Sequence, residues 1–209
     1  MPKRLGVFGG TFDPPHRGHL AVALAARDQL GLDQVLLVVA NDPWKKSPGR
    51  EVTPASDRLA MVRALIRGDD GQPMPGLEVS DAEIRRGGPS YTVTTLREIH
   101  QVHPDAELNL IIGRDLVDDF ASWHEAVQIE KLATIVVVDR PGYVGDVKRG
   151  WKVLSVSPVD ASSTELRDLL RSGGDVSAHM THNVVQEIVA RRLYGSDGNR
   201  PAATVAPAS

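Results

Sequence analysis

Leu5-Gly6-Val7-Phe8-Gly9-Gly10-Thr11-Phe12-Asp13-Pro14-Pro15-His16-Arg17-Gly18-His19 runs from a short apolar segment into a glycine turn, and Leu20-Ala21-Val22-Ala23-Leu24-Ala25-Ala26-Arg27, rich in helix formers, follows at once. A strand, a tight loop and a helix in direct succession are expected from that order. The order also builds an anion site. The Gly9-Gly10 pair lets the backbone approach a ligand closely, and the N–H groups and positive dipole end of the helix start favour negative charge. His16 and His19 lie three apart, so on a first helical turn both imidazoles project from one face toward the place where an anion would sit. Taken singly, each of these residues is ordinary turn or cap chemistry. Together they point to a phosphate-binding loop.

Outward from this unit, apolar runs rich in Val, Ile and Leu recur at Gln34–Ala40, Leu108–Ile112, Thr134–Val138 and Lys152–Val156, besides Arg4–Phe8 itself. Each is short enough for a strand buried on both faces. Helix-period segments alternate with them at His19–Leu30, Ala55–Ile66, Val93–Val102, Glu125–Leu132 and Thr164–Leu170. The alternation predicts an α/β fold, doubly wound and Rossmann-like: a mainly parallel sheet with helices on both faces and a small C-terminal helical part. Ligands bind such sheets at the carboxyl ends of the strands, where Gly9–His19 falls. Neither a G-x-G-x-x-G dinucleotide fingerprint nor a G-x-x-x-x-G-K-[ST] loop occurs, so a hydride-transfer enzyme and a P-loop NTPase are both disfavoured. Residues 1–195 are expected to form the domain. The stretch 196–209, rich in Gly, Pro, Ala and Ser, is expected to be a flexible tail.

The chain has 209 residues, 41% hydrophobic and 24% charged, with a formal net charge of −3. That length suits one domain with a real core, and that charge argues against a dedicated nucleic-acid binder. No cysteine is present, which excludes disulfides and thiolate metal sites and suits a reducing, cytoplasmic setting. No apolar run approaches a membrane span, and the N-terminus passes directly into a strand without a signal-peptide layout. Small-molecule substrates are expected, without nucleic acid or membrane as partners; homo-oligomerisation is left open.

Four further segments carry candidate chemistry. Lys45 and Lys46 sit in a proline-bounded loop beyond the second strand, placed either to reach across to a triphosphate or simply to be solvated, with Lys46 the candidate for the first. Glu83-Ile84-Arg85-Arg86-Gly87-Gly88-Pro89-Ser90-Tyr91-Thr92 reads as a strand end, a flexible turn and a helix start with available N–H groups. Beyond the next strand, Asp115 is placed either to accept ribose hydroxyl protons or to cap a helix, and Trp123 either to stack on a planar base or to pack in the core. Ser162 to Glu165 spells a capping box, with Arg167 one turn further and its fork suited to phosphate oxygens. His100, His103, His179 and His182 also form i, i+3 pairs and are expected at the surface. No cluster of carboxylates has cage-like metal spacing.

The stretch Gly9–His19 resembles the G-G-T-F-D-P-x-H-x-G-H signature of the nucleotidyltransferase superfamily at every fixed position. The resemblance implies transfer of a nucleotidyl group from a nucleoside triphosphate to a phosphate-type acceptor, with release of pyrophosphate. Arg86 to Leu96 looks like the R-x-x-P-S-Y-T-x-x-T-L segment of bacterial nicotinate mononucleotide adenylyltransferases, and phosphopantetheine adenylyltransferases lack that segment. Gly113 to Trp123 is similar to their G-x-D-x-L-x-x-F-x-x-W, with Val117 in place of Leu. Ser162 to Arg167 and Arg140-Pro141-Gly142-Tyr143 are further family elements, whereas Lys45 stands where the family commonly has His.

The resemblance thus implies adenylyl transfer from ATP to nicotinate mononucleotide, giving deamido-NAD for NAD biosynthesis. It implies His16, His19, Lys46 and Arg167 as catalytic groups, and Gly9, Gly10, Thr11, Phe12, Ser162, Ser163 and Thr164 around the triphosphate. Ser90, Tyr91, Thr92, Gly113, Asp115, Trp123, His124 and Arg140 would bind the acceptor nucleotide, with Thr92 meeting the ring substituent, Asp115 holding ribose and Trp123 packing on the pyridine. Mg²⁺ would be held mainly by the ATP phosphates rather than by a protein cage. Nicotinamide mononucleotide or phosphopantetheine as acceptor, or a non-catalytic nucleotide sensor, are the rival readings.

Overall fold

Six parallel strands form the sheet in the computed structural model, which describes residues 2–42, 52–68, 71–139, 147–157 and 162–195. In chain order the elements are β1 (Arg4–Gly10), α1 (Arg17–Leu30), β2 (Gln34–Val39), α2 (Ala55–Leu65), β3 (Leu77–Ser80), α3 (Ala82–Arg86), α4 (Thr92–Val102), β4 (Glu107–Gly113), α5 (Ala126–Leu132), β5 (Thr134–Asp139), β6 (Lys152–Ser155), α6 (Ser163–Arg171) and α7 (His182–Ala190). Short 3₁₀ turns occupy Arg114–Leu116, Phe120–Ser122 and Leu193–Gly195. The strand order is β3-β2-β1-β4-β5-β6. The chain turns from one half of the sheet to the other between β1 and β4, and such a switch point opens a crevice beyond the strand ends.

The helices divide between the two faces. Leu20, Ala23 and Ala26 of α1, Met61, Val62 and Leu65 of α2, Leu166 of α6, and Val184 and Ile188 of α7 pack with Val35, Leu37 and Val39 of β2 on one face. Val93, Leu96 and Ile99 of α4 and Ile129 of α5 cover Leu36, Val38, Leu110 and Ile112 on the other. Consecutive residues of β2 therefore feed opposite cores, which explains its unbroken apolar run. The buried apolar positions of α4, Val93, Leu96 and Ile99, recur at intervals of three, and each such side chain contributes roughly 1.5–3 kcal/mol by leaving water. Gly31 ends α1 in the left-handed region, at φ 59°, where a Cβ would be strained.

The five strands and five helices expected from the sequence are present with ends shifted by one or two residues, and the doubly wound parallel architecture is as expected. Two elements were not anticipated. β3 is an edge strand of four residues in which only Leu77 is buried, too short and too sparsely apolar to register as a run. Glu83–Arg86, read from sequence as a strand end, belongs instead to the single-turn helix α3, because β3 already ends at Ser80 and Glu83 turns inward, 7% exposed, to accept a hydrogen bond from Thr95. The C-terminal α7 packs on α2, and Arg191 beyond it pairs with Asp57 of α2 at 2.8 Å. The stretch 196–209 lies outside the described residues.

Candidate active site

The site grows from the β1–α1 loop. A Cβ on Gly10 would lie 2.8 Å from the Phe12 ring, so only glycine lets that ring fold under the loop. Phe12 sits at φ 52°, an uncommon conformation for a non-glycine residue, and its buried ring meets His19 edge-on at 5.0 Å. Phe12 thus shapes the loop from beneath and is not part of the cavity wall.

The two histidines are arranged differently from the sequence expectation. His16 is the N-cap of α1 in extended conformation, not a residue of its first turn. Its Nδ1 accepts the Gly18 N–H at 3.2 Å, and the Nδ1 of His19 accepts the N–H of His16 at 3.2 Å. The pair therefore forms a reciprocal cap of the kind usually made by a hydroxyl and a carboxylate. Both rings still share one face, with centroids 3.9 Å apart. An Nδ1 that accepts a hydrogen bond carries no proton, so each neutral ring is assigned the tautomer with hydrogen on Nε2. Both residues line the cavity, and Nε2–H is a donor suited to a phosphate oxygen.

Beneath the loop, Arg58 of α2 is 1% exposed and donates to three carbonyls: Thr11 at 2.8 Å, Thr53 at 2.8 Å and Asn41 at 3.1 Å. Burial lowers its pKa, opposed by the nearby Asp13 carboxylate and by Tyr194. α6 reaches the same loop from the other side. Ser163 donates to the Pro14 carbonyl at 3.0 Å, and the buried Arg167 donates to the Asp13 carbonyl at 2.5 Å and to Thr164 at 3.0 Å. Ser163, Thr164 and Arg167 therefore brace the loop, while Ser162 and Glu165, reciprocally capped, line the cavity.

The opposite wall is built by the start of α4 and the turns after β4. Ser90 accepts the N–H of Asn41 at 2.9 Å, joining the α4 start to the end of β2. Tyr91 is the α4 N-cap and makes no side-chain cap; its ring stacks on His124 with centroids 4.6 Å apart. Thr92, Gly113, Asp115 and Trp123 share this wall, and Trp123 also packs on Phe120 at 5.1 Å. Between the walls lies a cavity of about 720 Å³ at the carboxyl ends of β1, β2, β4 and β5.

Gly9, Gly10, Thr11, His16, His19, Ser90, Tyr91, Thr92, Gly113, Asp115, Trp123, His124 and Ser162 all line this cavity. Lys45, Lys46 and Arg140 lie outside the described residues. Sequence reasoning did not assign Glu83, Thr95 or Asp139 to the wall, read Glu165 only as a cap partner, and passed over Arg58 beneath it. For Arg58 a signal existed: it shares a helical face with Met61, Val62 and Leu65, an arginine on an apolar stripe. For Asp139 none did. Its Oδ1 is buried without a hydrogen-bond partner among the described residues.

The described wall contains four carboxylates, from Glu83, Asp115, Asp139 and Glu165, and no lysine or arginine. Among the described residues, the positive end of this wall is supplied by the starts of α1 and α6 and by the imidazole N–H groups. Among the described residues no group of three or more His, Asp or Glu side chains is arranged to hold a metal, and no helix is long and apolar enough to cross a membrane.

Comparison with known proteins matches residues 7–169 to the cytidylyltransferase-like family. The chain is 38% identical over 208 residues to a probable nicotinate-nucleotide adenylyltransferase of Corynebacterium kroppenstedtii, covering 97% of this chain and 96% of that protein. A protein of the same description from Gloeobacter violaceus is 38% identical over 206 residues, covering 93% and 97%. Among solved structures, the Plasmodium falciparum nicotinic acid mononucleotide adenylyltransferase complexed with NaAD has the same fold, with a TM-score of 0.77 at 18% identity over 93% of this chain and 98% of that one.

Proposed function

The chain belongs to the cytidylyltransferase-like family and, within it, to the nicotinate-nucleotide adenylyltransferases, and on that premise we propose that it transfers the adenylyl group of ATP to nicotinate mononucleotide, giving deamido-NAD and pyrophosphate in NAD biosynthesis. The observation that supports this most strongly is the pair of adjacent imidazoles at the α1 start, each anchored through Nδ1 to a backbone N–H. Fixed donors at a helix N-terminus match a reaction in which charge grows on phosphate oxygens.

In the proposed reaction a phosphate oxygen of nicotinate mononucleotide attacks the α-phosphorus of ATP. The new P–O bond forms as the bond to the bridging α–β oxygen breaks, and that electron pair leaves with pyrophosphate. The nucleophile comes from the substrate, so the protein supplies alignment and charge stabilisation without a covalent intermediate. His16 and His19 donate Nε2–H to the oxygens on which charge develops. Gly9, Gly10 and Thr11 give the triphosphate backbone access, with Phe12 holding their shape. The α6 start at Ser162, Ser163 and Thr164 presents N–H groups to the triphosphate, with Arg167 behind it and Lys46 closing from the β2 side. Thr92, Trp123 and His124 receive the nicotinate ring, and Ser90, Tyr91, Gly113, Asp115 and Arg140 the rest of the acceptor nucleotide.

Mg²⁺ is proposed to enter on the ATP phosphates, where it supplies positive charge for the leaving pyrophosphate. Four carboxylates in the described wall, with no lysine or arginine among them, fit a substrate that arrives partly neutralised. The reading includes residues 1–195 as one domain and a cytoplasmic setting, in keeping with the absence of cysteine. Pyrophosphate release from ATP and Mg²⁺ with nicotinate mononucleotide tests it. Steady turnover is expected, and nucleotide binding without pyrophosphate release would leave a sensor instead.

A further inference from the structure

The last described segment of the chain ends on a contact with the phosphate loop that the proposed reaction does not use. Tyr194 lies in the 3₁₀ turn Leu193–Gly195, and its hydroxyl donates to Asp13 Oδ1 at 2.6 Å across 181 residues of sequence. Asp13 is 1% exposed and stands between Phe12 and Pro14 in the loop that leads to His16. Its other carboxylate oxygen accepts the Thr53 N–H at 3.4 Å, a long bond, and Arg58 supplies the nearby positive charge. The Tyr194 hydroxyl is thus the short, direct partner of a buried carboxylate. Burial and the Asp13 carboxylate both push its pKa well above the ordinary tyrosine range, so it remains a donor at any assay pH.

The backbone that delivers Tyr194 is unusual. Arg192 and Tyr194 both adopt positive φ, at 53° and 57°, a conformation side chains seldom take. Arg191, just before them, is tied to Glu187 and to Asp57, both at 2.8 Å. The segment is therefore clamped at its base and bent so that one hydroxyl meets Asp13. The loop itself is gripped at Thr11, Asp13 and Pro14 through carbonyls bound by Arg58, Arg167 and Ser163. Those bonds fix the main chain of the loop. The Tyr194 bond fixes the one charged side chain inside it, three residues before His16.

We propose that Tyr194 is a positioning residue for adenylyl transfer, acting through Asp13 to hold the phosphate loop and its histidines in reactive register. The proposal rests on the adenylyl-transfer reading of the same site. It predicts an effect on the reactive arrangement rather than on ground-state binding, because Tyr194 is not in the cavity wall.

The test is steady-state pyrophosphate release by wild type, Tyr194→Phe, Asp13→Ala and the double variant at 20 °C, with melting temperatures measured alongside. Wild-type turnover establishes the adenylyl-transfer reading independently; its absence would overturn that reading and, with it, the proposal. Given wild-type turnover, Tyr194→Phe is expected to lower kcat roughly 10- to 100-fold, the scale of a small misplacement of reacting groups, with KM for either substrate changed less than about threefold. The double variant is expected to match Asp13→Ala within about twofold, since both changes remove the Tyr194–Asp13 hydrogen bond. A Tyr194→Phe protein with a lower melting temperature and wild-type kcat would make the contact structural only and overturn the proposal. Multiplicative effects in the double variant would overturn the route through Asp13. Should Tyr194→Phe fail to fold, Asp13→Ala, which removes the acceptor of the same hydrogen bond, carries the same kcat-against-KM test, and an unchanged kcat there overturns the proposal equally.

Discussion

In the proposed reaction His16 and His19 each have two tasks, divided between the two nitrogens of one ring: Nδ1 caps a helix, and Nε2–H would donate to phosphate. Substitution can separate the tasks, because an Asn amide oxygen falls near the place of Nδ1 while nothing replaces Nε2. His19→Asn is expected to keep most of the stability of the wild type yet lose about 10²–10³-fold in kcat, the cost of one transition-state donor. His19→Ala should lose a similar factor in kcat and also about 0.5–2 kcal/mol of stability, the usual cost of a lost cap. Urea midpoints and initial rates of the two variants check this, and near-normal turnover of His19→Asn would remove Nε2 from the chemistry. That these residues face one another was legible from their spacing. That they cap the helix was not, since histidine is seldom a capping residue and the bond depends on the extended backbone of His16.

Among the elements, α2 has a consequence out of proportion to its place at the back of the site. Its Arg58 joins the ends of β1 and β2 and the start of α2 itself through three carbonyls, a geometry that a guanidinium fork can satisfy and an ammonium cannot. Arg58→Met would leave three part-buried carbonyls without this donor and the Asp13 carboxylate without its nearby cation. The expected loss is about 3–5 kcal/mol, read as a fall in the urea midpoint, and Arg58→Lys should recover little of it. A loss below about 1 kcal/mol for Arg58→Met would show that the loop holds its shape without this strut. Strong periodic elements such as β2 and α4 could be read directly, because burial on one or both faces imposes a pattern on the sequence. β3 and α3 could not, being four and five residues long and fixed by what surrounds them: the β2 edge for one, the Glu83–Thr95 hydrogen bond for the other.

At the scale of the molecule, segments far apart in sequence converge on one crevice at the switch point of the sheet, and their convergence is the part that motifs alone could not reveal. Ser90 near the middle of the chain bonds Asn41, Ser163 and Arg167 bond the loop at Asp13 and Pro14, and Tyr194 returns to Asp13 from the C-terminal segment. The motifs named residues on both walls of the cavity; the buried struts, Arg58 and Tyr194, emerged only from the packing. Under the proposed reading, the wall across from the histidines is the one that sets selectivity. Tyr91 caps α4 without a side-chain bond to its first N–H groups, so that helix start presents donors to the cavity beside Trp123 and His124. A ring carboxylate satisfies such donors, whereas a carboxamide brings N–H groups against them, and a mispaired buried polar group costs about 1–3 kcal/mol. The most direct test is therefore kcat/KM for pyrophosphate release with nicotinate mononucleotide and with nicotinamide mononucleotide, side by side at saturating ATP and neutral pH. A preference for the acid of at least about tenfold is expected from that mispairing, and equal or reversed constants would contradict the assignment of nicotinate mononucleotide as the acceptor.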